Sequence, residues 1–139
     1  MEETILSVIN QTYDNVEYII IDGGSIDGTV DIVKKHEDKI DYWVSERDEG
    51  ISDAFNKSVQ VASGDYLHFQ GDGDGFVSDD ALEKVFQDID NNKDILISTR
   101  ISRVNKKGRE LFVSKHIERF DKKWKTLQAQ TINQNIAIF

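Results

Sequence analysis

The strongest periodic signal in the chain is "VEYIIID", Val16 to Asp22, an unbroken apolar run of strand length rich in β-branched residues. A run of this kind marks a strand covered on both faces, the usual condition of a parallel sheet. Before it, "EETILSVINQTY" places Ile5, Val8 and Ile9 on one helical face with Leu6 beside them, so the chain opens within or at the start of a helix. No capping residue precedes that helix, and an earlier strand is expected upstream of Met1. After the strand, "DGGSIDGT" is a glycine turn in which Asp27 or Ser25 can cap the next helix, "TVDIVKKHEDKI". A short strand, "YWVSE", comes next. "GISDAFNKSVQVAS" then sets Ile51, Ala54, Phe55, Val59 and Ala62 on one stripe, an amphipathic helix ended by Gly64. "DYLHFQ" reads as a further strand. "SDDALEKVFQDIDNN" reads as a helix with Ser78 as N-cap, acids in its first turn, and Leu82, Val85, Phe86 and Ile89 facing inward. "ILISTRISRV", the turn "NKKG" and "ELFV" form a hairpin.

Strands alternating with helices predict an α/β fold with a mostly parallel sheet, right-handed crossovers, flanking helices and an antiparallel hairpin near the C-terminus. Ligands of such sheets sit beyond the carboxyl ends of the strands. Asp22 with its glycines lies at one such end, and Asp72 and Asp74 lie just past another. Two distant segments therefore converge on one edge.

A length of 139 residues suits a single domain whose core needs no metal or disulfide staple. A net charge of −9, with lysines and arginines scattered, opposes nucleic-acid binding. The densest basic run, "DKKWKT", reads as a solvated helix face. Absence of cysteine excludes disulfides and thiolate metal sites and agrees with a reducing cytoplasm. The longest aliphatic run, "YIII", is far too short to span a bilayer, so a cytoplasmic protein is expected, or one peripheral at the inner face of the membrane. His36, His68 and His116 have no metal-ligand spacing and read as structural.

The stretch "FQGDGDGFVSDDAL" has two readings. On a twelve-residue calcium loop, Gln70 to Ala81 matches at Asp72, Asp74, Gly75, Val77 and Ser78, but the first ligand position is Gln70 and the twelfth is Ala81, which has no carboxylate. The motif also needs a helix before the loop, where "GDYLHF" reads as a strand. Alternatively Asp72 and Asp74 form a D-x-D pair, two carboxylates that can share Mg²⁺ or Mn²⁺ with substrate phosphates and waters. By itself such a pair is weak evidence, because Asp and Gly dominate ordinary turns.

The segments "QTY", "IIIDGGSIDGT", "SERDEGISDAFNK" and "GDYLHF", in that order, resemble the nucleotide-sugar half of the family 2 glycosyltransferases over about residues 3 to 87. The resemblance implies a Rossmann-like GT-A-type domain, with a donor-binding half at about 1–90 and a partial acceptor-side region at 91–139. It also implies inverting transfer of a sugar from a UDP-, GDP- or dTDP-linked donor to a hydroxyl of a sugar or lipid-linked acceptor, in polysaccharide or glycoconjugate synthesis. It makes Asp22 a nucleobase contact and puts Gly23 where many members have a second aspartate. Asp48, Gly50 and Asp53 become donor-site candidates. The metal acids usually stand at positions 73 and 74; this chain has Gly73 and Asp74 with Asp72 before them, so Asp74 is the expected ligand of Mn²⁺ or Mg²⁺, with Asp72 as substitute.

Two features of the family pattern are missing. The opening strand and loop of the type "VSVIIPTYN", in mid-sheet, is not found, and a gap is expected between "VEYIIID" and "DYLHFQ". The apolar tail "NIAIF" is the internal candidate to fill it and exchange of a strand or helix between two chains is the alternative; a homo-oligomer, a dimer first, with little or no transferase activity is expected. The catalytic base is unassigned: where the related subgroup has a "HQ" pair this chain has Asn133 and Gln134, and Glu110, Glu118 and Asp121 are carboxylates that no motif selects. A catalytically dead nucleotide-sugar-binding domain is the second reading, and the calcium module the third.

Overall fold

A computed structural model of the chain describes residues 1–87, 102–105, 107, 109–113 and 136–138. The chain divides into two compact units, Met1–Asn91 with Thr131–Phe139, and Asn92–Gln130. The first contains the helices α1 (Glu2–Ile9), α2 (Thr29–Lys35), α3 (Ile51–Val61) and α4 (Ala81–Gln87). Its strands are β1 (Val16–Asp22), β2 (Tyr42–Ser45), β3 (Tyr66–His68) and β6 (Ile136–Ile138). In the second unit, β4 (Ser102–Val104) and β5 (Glu110–Val113) form the expected antiparallel hairpin. Its turn is tied by Asn105, whose Oδ1 accepts the amides of Lys107 and Arg109 at 2.9 and 3.0 Å.

The sheet of the first unit runs β2-β1-β6-β3 with every neighbouring pair parallel. The gap expected between β1 and β3 is thus filled by the tail. Ile136 to Ile138 pair with Val16 to Tyr18 on one side and with Tyr66 to His68 on the other. A central strand needs both rows of backbone groups bonded and both faces covered. The ladders supply the first, and Ile138 is fully buried. With the gap closed inside the chain, the motive for a strand-exchanged oligomer is gone.

Among the described residues, Ile5 and Val8 of α1, Tyr18 to Ile20 of β1, Val33 of α2, Ile40, Leu82 and Phe86 of α4, and Ile138 make up the buried apolar set. Tyr13 stacks on Phe86 at 4.7 Å between centroids, and Tyr66 meets the same ring edge-on at 5.2 Å. On α3 the expected stripe is only partly correct. Ile51 and Val59 are exposed, whereas Ser58 is buried, its hydroxyl satisfied by the Phe55 carbonyl at 2.8 Å. This helix ends at Ala62, which turns extended, and not at Gly64. The Glu17 carboxylate then takes the amides of Ser63 and Gly64, fastening that turn to β1.

Helix α4 begins at Ala81, two residues later than a cap at Ser78 would start it. Ser78 does not cap it: its hydroxyl donates to Asp80 at 2.7 Å, and the Leu82 amide is instead received by Gln11 Oε1 at 3.0 Å. The inward positions Leu82 and Phe86 are as expected; Ile89 lies outside the described residues.

Candidate functional site

Asp22 closes β1 at the carboxyl edge of the sheet and is only 7% exposed. Three hydrogen bonds end on its Oδ2: from the Gly24 amide at 3.1 Å, the Ser25 amide at 2.9 Å and the Ser45 hydroxyl at 2.6 Å. Burial alone would raise its pKa, but the bonds from Ser25, Ser45 and the two amides outweigh it and hold the carboxyl below the usual range. A buried anion results, kept by backbone and hydroxyl donors and, among the described residues, paired with no cation. Ser45 reaches it because the parallel register sets Asp22 beside Ser45. Sequence reasoning missed Ser45, for which only the strand register gives a signal.

The turn after Asp22 needs glycine for two separate reasons. Gly24 has φ +84°, in the left-handed region. Gly23 has no such constraint, but a Cβ there would lie 2.9 Å from Asp48 Oδ2 and 3.1 Å from its Cγ. The Asp48 carboxylate thus covers Gly23, next to Asp22. Asp48 is held there by the Gly50 amide, 2.9 Å from Oδ1. Gly50, with φ +111°, starts α3. Asp53 is engaged within its own segment: Oδ2 accepts the Glu49 amide at 3.2 Å and pairs with Lys57 at 3.3 Å, and Lys57 also reaches Glu46 at 2.8 Å. Asp22, Gly23 and Asp48 are therefore brought together, while Gly50 and Asp53 shape the segment that carries Asp48.

Asp72 and Asp74 follow β3 on an exposed loop, on either side of Gly73 with φ +86°. Asp72 pairs with the Met1 amino group, and Asp74 makes no ion pair among the described residues. No group of three or more His, Cys, Asp or Glu residues is arranged to hold a metal among the described residues. The element before this loop is the strand Tyr66–His68, so the helix that a calcium loop requires is not there. The histidines that are described make structural contacts, His36 with Glu2 at 3.4 Å and His68 with the Phe76 ring at 5.2 Å. Of the candidate bases, Glu110 lies exposed on the hairpin and accepts the Ser102 hydroxyl; Glu118 and Asp121 are outside the described residues, as are Asn133, Gln134 and His116. No described helix is long and apolar enough to cross a membrane.

The chain is similar to proteins named as glycosyltransferases. An uncharacterized glycosyltransferase of Haemophilus influenzae is 37% identical over 87 residues, covering 60% of this chain and 34% of the relative. A putative teichuronic acid biosynthesis glycosyltransferase of Bacillus subtilis is 39% identical over 88 residues, 60% of this chain and 34% of that protein. A cholesterol galactosyltransferase of Borreliella burgdorferi is 32% identical over 101 residues, 70% of this chain and 28% of that protein. The chain spans about a third of the length of these curated relatives. No solved structure matches it. The family model described as Glycosyl transferase family 2 matches residues 1–139 from end to end, and the chain belongs to that family.

Proposed function

We propose that this chain binds a nucleoside-diphosphate sugar and takes part in transfer of the sugar, with inversion, to an acceptor hydroxyl in polysaccharide or glycoconjugate synthesis. The observation that carries the reading is Asp22, a buried carboxylate held ionised by neutral donors at the carboxyl edge of a parallel sheet. Such an acceptor group suits the N–H donors of a nucleobase or the hydroxyls of a ribose. Asp48 adds a second carboxylate beside it. The relatives' names, teichuronic acid biosynthesis in one case and cholesterol galactosylation in another, are why the acceptor is kept as a hydroxyl on a sugar or lipid-linked molecule.

Asp72 and Asp74 fit Mg²⁺ or Mn²⁺ as a donor set: both are hard oxygen ligands, one residue apart on an exposed turn. With so few protein ligands, the cation would complete its shell with diphosphate oxygens and water, an arrangement these ions accept. When bound, it would offset charge on the departing diphosphate. Asp74 is the better ligand, since it stands at one of the two positions where the resemblance places the metal acids. In an inverting step the acceptor oxygen bonds to the anomeric carbon as the bond to diphosphate breaks, and the hydroxyl proton passes to a carboxylate base. No described residue is assigned that role. A donor-binding domain without transfer is therefore the second reading, and separate binding and turnover assays distinguish the two.

Titration calorimetry with UDP, GDP and dTDP, with and without Mn²⁺ or Mg²⁺, tests the proposal. We expect metal-dependent binding of one nucleotide, weakened by Asp74→Ala. Equal heats with and without metal would remove the metal role, and tight Ca²⁺ binding without nucleotide would favour the calcium module instead.

A further inference from the structure

The motif "QTY" and the helix before it have no part in the site as described so far, yet they touch the acidic loop along its whole length. Thr4, Ser7 and Gln11 recur at helical spacing and form a polar line. The buried Thr4 Oγ1 accepts the Gly73 amide at 3.0 Å, between the two aspartates. Ser7 lies against Gly75 so closely that a Cβ there would sit 3.1 Å from its Oγ. Gln70, which opens the loop, spans Ser7 Oγ at 3.4 Å and the Asp74 carbonyl at 3.3 Å. Gln11 donates from Nε2 to the Ser78 carbonyl at 2.9 Å and accepts the Leu82 amide at Oε1. Thr12 finishes the line, its amide on the Asp79 carbonyl at 2.7 Å and its hydroxyl on Glu83 at 2.8 Å.

We propose that this line is a rail that fixes the backbone of residues 70–83, and that Thr4 is a positioning residue which presents Asp72 and Asp74 as a preorganised pair to the cation of a metal–nucleoside diphosphate. The inference rests on the donor-binding reading above. Its physical basis is that an exposed glycine-rich loop with two carboxylates would otherwise sample many conformations, and ordering it would weaken binding. Here the tie at Gly73 is a backbone amide bonded to a buried hydroxyl, so the constraint acts on the peptide between the two ligands while both carboxylates stay exposed. Thr4 touches neither metal nor donor in this scheme. It acts through Gly73.

The test uses the whole chain, Thr4→Val and the conservative Thr4→Ser. Amide hydrogen exchange at Gly73 is measured without ligand, and affinity for Mn²⁺ with UDP, GDP or dTDP by calorimetry. We expect Thr4→Val to leave the exchange of β1 amides unchanged, to speed exchange at Gly73 at least tenfold, and to weaken metal–nucleotide binding about tenfold, as freeing roughly one backbone residue implies. Thr4→Ser should restore both. If Thr4→Val does not fold, Gly75→Ala perturbs the same rail from the loop side and should weaken binding similarly, with Ser7→Gly relieving it. Wild-type binding that neither Thr4→Val nor Gly75→Ala changes overturns the inference alone. A wild type that binds no metal–nucleotide overturns the donor-binding reading and the inference with it.

Discussion

Placing the tail at the centre of the sheet makes a prediction about stability that is unusually large for a residue so near the end of the chain. Ile138 is fully buried, between Tyr18 and His68 in the ladders. Truncation to alanine removes three carbons, and at about 0.8 kcal/mol each the lost transfer energy is about 2.4 kcal/mol. Incomplete collapse of the cavity raises this to about 3–4 kcal/mol. A domain of this size is stable by about 5–15 kcal/mol, so the loss is a sizeable fraction of the total. Urea unfolding followed by tryptophan fluorescence in a Trp124→Phe background, which leaves Trp43 on β2 as the probe, reads it. With a slope of about 2 kcal/mol per molar, the midpoint of Ile138→Ala should fall by about 1.5–2 M. Leu67→Ala is the control: it lies on the adjacent strand but is 46% exposed, and about 1 kcal/mol or less is expected. Deleting residues 135–139 should go further, leaving the facing edges of β1 and β3 unpaired and driving association visible by light scattering. An Ile138→Ala variant as stable as Leu67→Ala, with a tail-deleted chain that scatters like the full one, would refute the central placement of β6.

Two further outcomes follow from the site and its neighbours. Gly23→Ala pushes Asp48 off its place and breaks its bond from Gly50, so stability should fall by about 1 kcal/mol and nucleotide affinity by about tenfold; adding Asp48→Gly should restore stability but not binding, and a silent Gly23→Ala would show that Asp48 is not held over the turn. Burial holds the His68 imidazole below its ordinary pKa of 6.5, with the Gln70 hydrogen bond and the Asp74 charge opposing only in part. The unfolded chain therefore binds a proton that the folded one refuses, so this contribution to stability is complete above pH 6.5 and is lost as pH falls from there through the lower folded value. Urea midpoints between pH 7.5 and 5.5 should decline in the wild type and decline less in His68→Asn.

The strand β1 and its glycine turn were readable because their signals are local: an apolar run with β-branched residues, then residues that tolerate unusual backbone angles. The filling of the gap by the tail was readable only as one of two options: the family resemblance indicated the gap, unpaired central ladders need a partner, and either the apolar tail or a second chain could supply it. The start of α4 was not readable. Ser78 has the composition of a cap, but its hydroxyl prefers Asp80, and the amide that needs a cap is met by Gln11, 71 residues away. The exposed Ile51 and Val59 on α3 show the same limit, because periodicity identifies a stripe without fixing which part of it finds cover.

At the site the limit is one of pairing. A strand-end aspartate announces itself, and Ser25 and the turn amides that help hold it as an anion are local, yet Ser45, the further donor, arrives only through the parallel register of β1 with β2. Likewise Gly23 looked like the loss of a carboxylate, while the fold brings the Asp48 carboxylate to that spot from 25 positions along the chain. The two facts have one consequence. An aspartate at position 23 would meet Asp48 at short range, with like charges beside an already buried anion, and such juxtaposition is unfavourable. Glycine at 23 thus leaves the room that the Asp48 carboxylate occupies beside the turn after Asp22.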